Sequence, residues 1–380
     1  MSKKLLCMVA AAAFISAAHA NEPTITTEEK TITQDDKTYT LVNQRISFEN
    51  GWFRYYNCSD NVTKEIIGKV GSEYHPSYFG LLFGQPPRSN GGWSIWKFLK
   101  LISMVEGKQV SNLDLFRAEK IYISQLKDCA VAEFVFPLSA DGSEGKISVK
   151  AMQFPEFSDW IFFKVKLDTA RPLWRMDLEA FPGTAVPSKE RERWISTKEE
   201  NFNVTKDGAD FAPASNGLAI FSKFVDENFG NLIVFDASKY LRIASAQGAD
   251  AQVAVQFTPN EGETEFVFAL GYFSDSSPTE EVATFLNQNQ PRVFDFMKKI
   301  NWDPKVDAAD FNRMVQETAK LVKGMGNNAG AKASQESLEQ IQAGFKKAEA
   351  ASDFSSCLDS TVELRRLQEQ ISKAGLSQFH

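Results

Sequence analysis

Between positions 74 and 96 the chain gathers residues suited to holding a polar, ring-shaped ligand. Arg88-Ser89-Asn90-Gly91-Gly92-Trp93-Ser94-Ile95-Trp96 sets two indoles three residues apart behind a flexible, hydrogen-bonding run. An indole offers a broad apolar face, and Arg, Asn and Ser place donors and acceptors beside it. That combination fits a molecule with C–H faces and a hydroxyl rim, which is the surface of a sugar. Tyr74, His75 and Tyr78 lie a few residues upstream and could share the rim. The competing reading is structural, because Trp93 and Trp96 at this spacing also suit the core side of a strand or helical turn. The expected substrate-binding set is Trp93, Trp96, Arg88, Asn90, His75 and Tyr78.

Other chemistries are thinly supplied. Beyond the first twenty residues the only histidines are His75 and His380. A site built on two or three imidazoles is therefore nearly excluded, and no metal or cofactor is expected. There is no Gly-rich phosphate loop ending in Lys-Ser/Thr and no Gly-x-Ser-x-Gly elbow. His75 precedes Pro76 and reads either as a general acid or base or as a satisfied structural histidine. Glu156, Asp159, Asp177 and Glu179 lie on or beside predicted strands, where a pair across a cleft would suit glycosidic hydrolysis. With 49 acidic residues in the chain, chance pairs are common. A solvated face is the preferred reading for each, and no catalytic pair is assigned.

The elements that must position these residues are mostly β. Lys3 and Lys4 precede the apolar run Leu5 to Ala18, and Ala18-His19-Ala20 fits small-x-small cleavage. This reads as a bacterial-type signal peptide over residues 1–20, with a periplasmic or extracellular destination. Cys7 lies inside the apolar run, which disfavours a lipoprotein site. No later stretch is long and apolar enough for a membrane span. The formal charge is −7, or −9 once Lys3 and Lys4 leave with the signal. That balance disfavours nucleic acid and anionic membrane, and strongly acidic polysaccharide too unless a local basic cleft overrides the mean. Cys58, Cys129 and Cys357 are too few and too widely spaced for a disulfide scaffold. One bridge, as between Cys58 and Cys129, and buried free thiols are both compatible with the sequence.

Residues 21–37 read as a flexible leader and 38–276 as an antiparallel β-sandwich domain. Tyr39 to Phe48, an Asn50-Gly51 turn and Trp52 to Tyr56 form an opening hairpin. Asn57 to Gly107 reads as irregular. Strands follow at Leu113–Ala118, Ile121–Leu126, Val131–Phe136, Ile147–Phe154 and Arg171–Phe181, with a turn at Asp141 to Gly145. Ile161, Phe163, Val165 and Leu167 alternate with Lys164 and Lys166, the mark of a strand with one dry and one wet face. Ser188 to Glu200 reads as a surface loop or short helix. Further strands are predicted at Gly217–Phe224, Asn231–Phe235 and Tyr240–Ala244. In 251–273, Val253, Val255 and Phe257 alternate with polar residues. After a polar turn at 259–263, Phe266, Phe268, Leu270 and Tyr272 form a run apolar on both faces. Ser277-Pro278-Thr279-Glu280 is a capping box that opens closing helices over 277–304, the first ending near Asn289 and another starting or kinking at Pro291. A helical appendage occupies 305–380. Its third helix is capped by Asp307, Gly324–Ser334 is a linker, and stripes at Leu338/Ile341/Phe345 and Leu364/Leu367/Ile371 mark two more helices that pair together or dock on the sandwich.

The strand Trp160-Ile161-Phe162-Phe163-Lys164-Val165-Lys166-Leu167 and the strand-to-helix exit Phe266 to Leu286 resemble the β-supersandwich of the galactose mutarotase-like superfamily. The resemblance covers Thr38 to Tyr272 and implies a large antiparallel β-sandwich and a carbohydrate partner. Aldose epimerases in that superfamily use a histidine pair with a glutamate, and one mature internal histidine does not supply it. The leading expectation is an exported carbohydrate-binding protein on a supersandwich scaffold. The alternatives are a glycoside hydrolase or polysaccharide lyase of the same architecture, and a non-catalytic cell-envelope assembly protein whose C-terminal helices dock a protein partner.

Overall fold

The computed structural model describes residues 23–63, 80–84, 95–105, 108–112, 118–126, 128–137, 145–169, 173–181, 192–198, 200–204, 208–211, 215–224, 227–247, 253–273, 279–304, 308–326, 328–351 and 353–376. Two compact units divide the chain, Met1–Ile121 with Asp128–Ile300 and Tyr122–Lys127 with Asn301–His380.

The first unit is a β body. Its early strands are β1 (Thr24–Gln34), β2 (Lys37–Phe48), β3 (Gly51–Asp60), β4 (Gly80–Gly84), β5 (Ile95–Val105) and β6 (Lys108–Asn112). After β7 (Lys120–Gln125) come β8 (Ala130–Pro137), β9 (Lys146–Gln153), β10 (Trp160–Asp168), β11 (Leu173–Phe181), β12 (Glu192–Ser196), β13 (Asn201–Asn203) and β14 (Asp210–Phe211). The series ends with β15 (Gly217–Phe224), β16 (Glu227–Phe235), β17 (Tyr240–Gln247), β18 (Val253–Pro259) and β19 (Glu265–Phe273). The first sheet runs β1-β2-β3-β4-β5-β11-β18-β17-β14, with β6 also paired to β5. The strands of the β body in the second sheet run β13-β12-β15-β16-β19-β10-β9-β8. The pairings described are antiparallel, so a mainly β, layered antiparallel architecture followed by helices is what the chain forms.

Alternation decides which side chains meet between the sheets. Phe53 of the first sheet packs edge-on against Phe134 and Phe163 of the second, with ring centroids 5.8 and 5.3 Å apart. Phe83 meets Tyr272 at 4.6 Å, and Phe257 meets Phe235 at 5.2 Å. Much of the chain's aromatic surplus is spent here, on rings that remove a large apolar area from water. The middle of each sheet is made by neighbours in sequence that part company. β10 and β19 pair at the centre of the second sheet, whereas β11 and β18 pair at the centre of the first. The polar turn after Pro259 therefore carries the chain from one sheet to the other. Beside it, the Leu167 amide donates to the Thr264 carbonyl at 2.9 Å.

Three cross-strand pairs set an aromatic ring against a glycine. Gly51 faces Phe48, Gly84 faces Trp52 and Gly271 faces Trp160. A Cβ at these glycines would lie 2.7 Å from the Phe48 ring, 2.1 Å from Trp52 and 2.6 Å from Trp160. The glycines are needed because the rings lie flat across the backbone, where no side chain fits. This also corrects the hairpin turn by one residue. Glu49 and Asn50 make the turn, and Gly51 is already in β3, opposite Phe48.

Other expectations are corrected. Residues 24–34 are not a loose leader but strand β1, paired with β2 along its whole length. Its Thr and Ile residues favour extended backbone, and an edge strand needs no apolar face. Asp35 and Asp36 hold φ of 51° and 60°, the left-handed turn more often made by Asn-Gly. The irregular stretch contains β4 and β5, which lie inside the first sheet. Part of Ser188–Glu200 is strand β12, whose Ile195 is fully buried. The Leu113–Ala118 strand and the Asp141–Gly145 turn fall largely outside the described residues.

One continuous helix, α1 (Thr279–Met297), replaces the expected break at Pro291. Pro291 and Asn287 are exposed, so the carbonyl freed by the missing amide faces water. The helix packs on β15, β16 and β19 through its buried Leu286, Val293 and Met297. Phe296 lies 5.0 Å from Phe154 and 4.4 Å from Phe157.

The second unit contains α2 (Ala308–Gly324), α3 (Ala329–Ala350) and α4 (Phe354–Leu376). The stripes do pair together: Leu338, Ile341 and Phe345 share one core with Phe311, Leu364, Leu367 and Ile371. Phe311 and Phe345 stack at 3.8 Å. The expected linker at Gly324–Ser334 is shorter, because Asn328 caps α3 by accepting the Ala331 amide at 2.8 Å. Small residues read as linker, yet alanine is the strongest helix former. Asp307, the expected cap of α2, lies outside the described residues. No helix among the described residues is long and apolar enough to cross a membrane.

Cys58, Cys129 and Cys357 are buried free thiols, so the Cys58–Cys129 bridge is not formed. Burial raises all three, Cys129 to about 11 with help from the Asp128 charge. At pH 8 about one Cys129 in a thousand is then thiolate. The native protein is expected to leave these thiols unmodified by a thiol reagent at pH 8 and to titrate all three in denaturant. Fast native labelling would contradict the burial.

Candidate functional site

Of the six residues expected to bind ligand, five (Trp93, Arg88, Asn90, His75 and Tyr78) lie outside the described residues. Trp96 is placed, and its ring is in the core. It lies on β5 opposite Phe83 and Ala180, facing the second sheet, with 0% exposure. A ring without an exposed face is no stacking platform, so Trp96 does not supply one. The Trp96 side falls inward because β5 continues the alternation of the first sheet. The Tyr272 hydroxyl reaches across from β19, donating to the Phe83 carbonyl and receiving the Trp96 backbone amide. Burial holds the Tyr272 phenol well above its ordinary range. Trp96 Nε1 has no hydrogen-bond partner among the described residues.

Of the four carboxylates considered for hydrolysis, three are engaged by neighbouring side chains. Asp177 is held by Arg175 through two bonds of 2.7 and 2.8 Å. Glu179 lies 3.8 Å from Lys97, and Asp159 accepts the Asn50 amide group at 2.8 Å. Glu156 is exposed on the short 3₁₀ turn before β10.

A different constellation occupies the outer face of the first sheet. The β2–β3 register places Arg45 directly opposite Arg54, and on β3 the period-2 repeat puts Trp52, Arg54 and Tyr56 on one face. Both guanidinium groups lean on the same indole. Arg45 Cζ is 5.5 Å from the Trp52 ring and Arg54 Cζ is 5.0 Å from it, and Arg54 is also 5.0 Å from the Tyr56 ring. Each contact is worth about 0.5–2 kcal/mol and fixes where a cation stands. Trp52 cannot move away, since it lies over Gly84 and packs with Leu82 and Phe181. Across β4 the row continues from Arg54 through Leu82 to Lys97, whose charge Glu179 partly offsets.

Arg45 is the unusual member. It is half-buried, desolvation lowers its pKa, and its Nε has no hydrogen-bond partner among the described residues. The nearby carboxylate on β1, Glu28, is held below its usual range by Asn43 and by Lys30 instead. Like charges directly opposite in an antiparallel pair repel. Such a face suits an anionic group that accepts from planar, forked donors. It also stands at the root of the stretch the sequence singled out, because Gly84 and Ile95, the described ends flanking residues 85–94, are the next positions across from Trp52. The signal was present in Trp52-x-Arg54-x-Tyr56. It needed the hairpin register to bring Arg45 alongside.

No protein-family model matches the chain, and no curated protein does. Solved structures do. A galactose mutarotase related enzyme from Lactobacillus acidophilus matches 65% of this chain and 98% of its own, at 8% identity and a TM-score of 0.32. Galactose 1-epimerase from the same organism matches 66% and 99%, at 6% identity and a TM-score of 0.33. A heparan sulfate lyase from Pedobacter heparinus matches 62% of this chain and 36% of its own, at 7% identity and a TM-score of 0.29.

Proposed function

We propose that this chain is an exported, periplasmic or extracellular, glycan-binding protein, with its binding face on the outer side of the first sheet around Trp52. The observation that carries the reading is the clamp of Trp52 over Gly84. It holds two guanidinium groups beside Gly84 and Ile95, the described residues that flank 85–94 in the chain. Fixed hydrogen-bond donors next to an aromatic-bearing segment are the groups a saccharide uses.

Expressed with its leader and recovered from the periplasm, the mature chain should begin at Asn21. On a glycan array the Trp93→Ala variant should lose about tenfold or more of the retention of wild type, as expected for one sugar-stacking ring. Its thermal midpoint should stay within about 2 °C. A large loss of stability with unchanged retention would assign Trp93 to the core and remove the indole from the site.

A further inference from the structure

We infer that the Arg45–Arg54 pair is an anion-recognition subsite, and that the glycan held on this face carries carboxylate or sulfate groups. This rests on the glycan-binding reading and narrows it to acidic saccharides. Three observations lead here. First, the register sets two arginines directly opposite one another, and both lean on one indole with Cζ 5.5 and 5.0 Å from its centroid. The stacking fixes where both guanidinium groups stand. Second, no described carboxylate is ion-paired with Arg45, although Glu28 on the neighbouring strand is engaged by Lys30 at 3.3 Å and by Asn43 at 3.3 Å. Third, Arg45 Nε is buried without a partner, and leaving a charged donor unmet is costly. The chain's net charge is −7, so two arginines side by side on one sheet face stand out on an acidic protein.

The chemistry selects among ligands. A guanidinium presents parallel N–H donors that match the two oxygens of a carboxylate or sulfate. Asn43 sits opposite Tyr56 and Thr26 opposite Arg45, which adds neutral hydrogen-bonding groups of the kind hydroxyls use. Nucleic acid is less favoured, because its affinity needs a longer stripe of cations than two arginines and one lysine.

The test is isothermal titration of the full mature chain with four probes: an oligogalacturonate hexamer, a heparin-derived hexasaccharide, cellohexaose and a thymidine oligonucleotide, with inorganic sulfate as competitor. The expected result is binding of one or both acidic saccharides at least about tenfold tighter than cellohexaose, weakened by sulfate and by added salt. The two acidic arms separate carboxylate from sulfate recognition. Arg45→Gln should reduce acidic binding by about tenfold to a hundredfold, the range for a charge-assisted hydrogen bond, and leave cellohexaose unchanged. Arg45→Lys keeps the charge and the aliphatic stem but not the fork. It should give an intermediate loss with an unaltered thermal midpoint, which keeps the test valid if the glutamine variant folds poorly. Equal binding of acidic and neutral probes, insensitive to both substitutions, would overturn the subsite and leave the glycan reading standing. Binding of the oligonucleotide as tight as that of the saccharides, or of none of the probes, would overturn both.

Discussion

Replacing Gly271 by alanine is expected to destabilise the β body by about 3 kcal/mol, within the range for forced overpacking of a core. For a domain of this size that is a fall of roughly 6–12 °C in the thermal midpoint. The added Cβ would lie 2.6 Å from Cε3 of Trp160, 2.7 Å from Cδ2 and 2.9 Å from Cζ3. None of these is the free end of a flexible chain. The indole is rigid and only 4% exposed, on the strand paired with β19 at the centre of the second sheet. Either the ring or the strand pairing must shift. The measurement is chemical denaturation of Gly271→Ala in two backgrounds. In Trp160→Leu the flat ring is gone, and the same alanine should cost less than about 1 kcal/mol. An equal cost in both backgrounds would mean that the glycine is required for a reason other than the indole.

Phe163→Ala should cost about 4 kcal/mol, in line with other buried phenylalanine truncations. Phe163 is fully buried on the dry face of β10, with its ring 5.3 Å from Phe53 and 5.4 Å from Phe268. It touches both sheets, so its loss opens a void neither layer can close alone. Lys166→Ala, at an exposed position on the opposite face of the same strand, should change stability by less than about 0.5 kcal/mol. Urea midpoints for the two variants would check the pair. Similar losses at both positions would contradict the assignment of faces.

How much of this was legible depends on how far each element relies on distant partners. β10 and β19 could be read directly, because their apolar periods are strong and their burial is nearly complete. β1 could not, since an edge strand of Thr, Glu and Lys satisfies its amides with one neighbour and needs no hydrophobic signature. β4 was hidden by brevity and by glycines at both ends, although its Leu81, Leu82 and Phe83 are buried by strands on either side. Pro291 misled because a proline's cost depends on whether the freed carbonyl reaches water, which only the helix orientation decides. The site was half legible. Residues 85–94 drew attention through their composition, but Trp96 went to the core on strand alternation. The arginine pair became visible only through a register, since nothing local joins positions 45 and 54.

The exchange of strands at the centre of the two sheets bears on how the body comes into being. β10 precedes β11 in the chain and β18 precedes β19, yet their permanent neighbours are β10 with β19 and β11 with β18. Each half of the molecule thus waits on an arrival from roughly 70 to 110 residues downstream. A nascent chain halted before Val253 would have flanking hairpins but no finished middle in either layer. Such a topology closes late and all at once, and until then the halves expose unpaired strand edges that invite association with other chains.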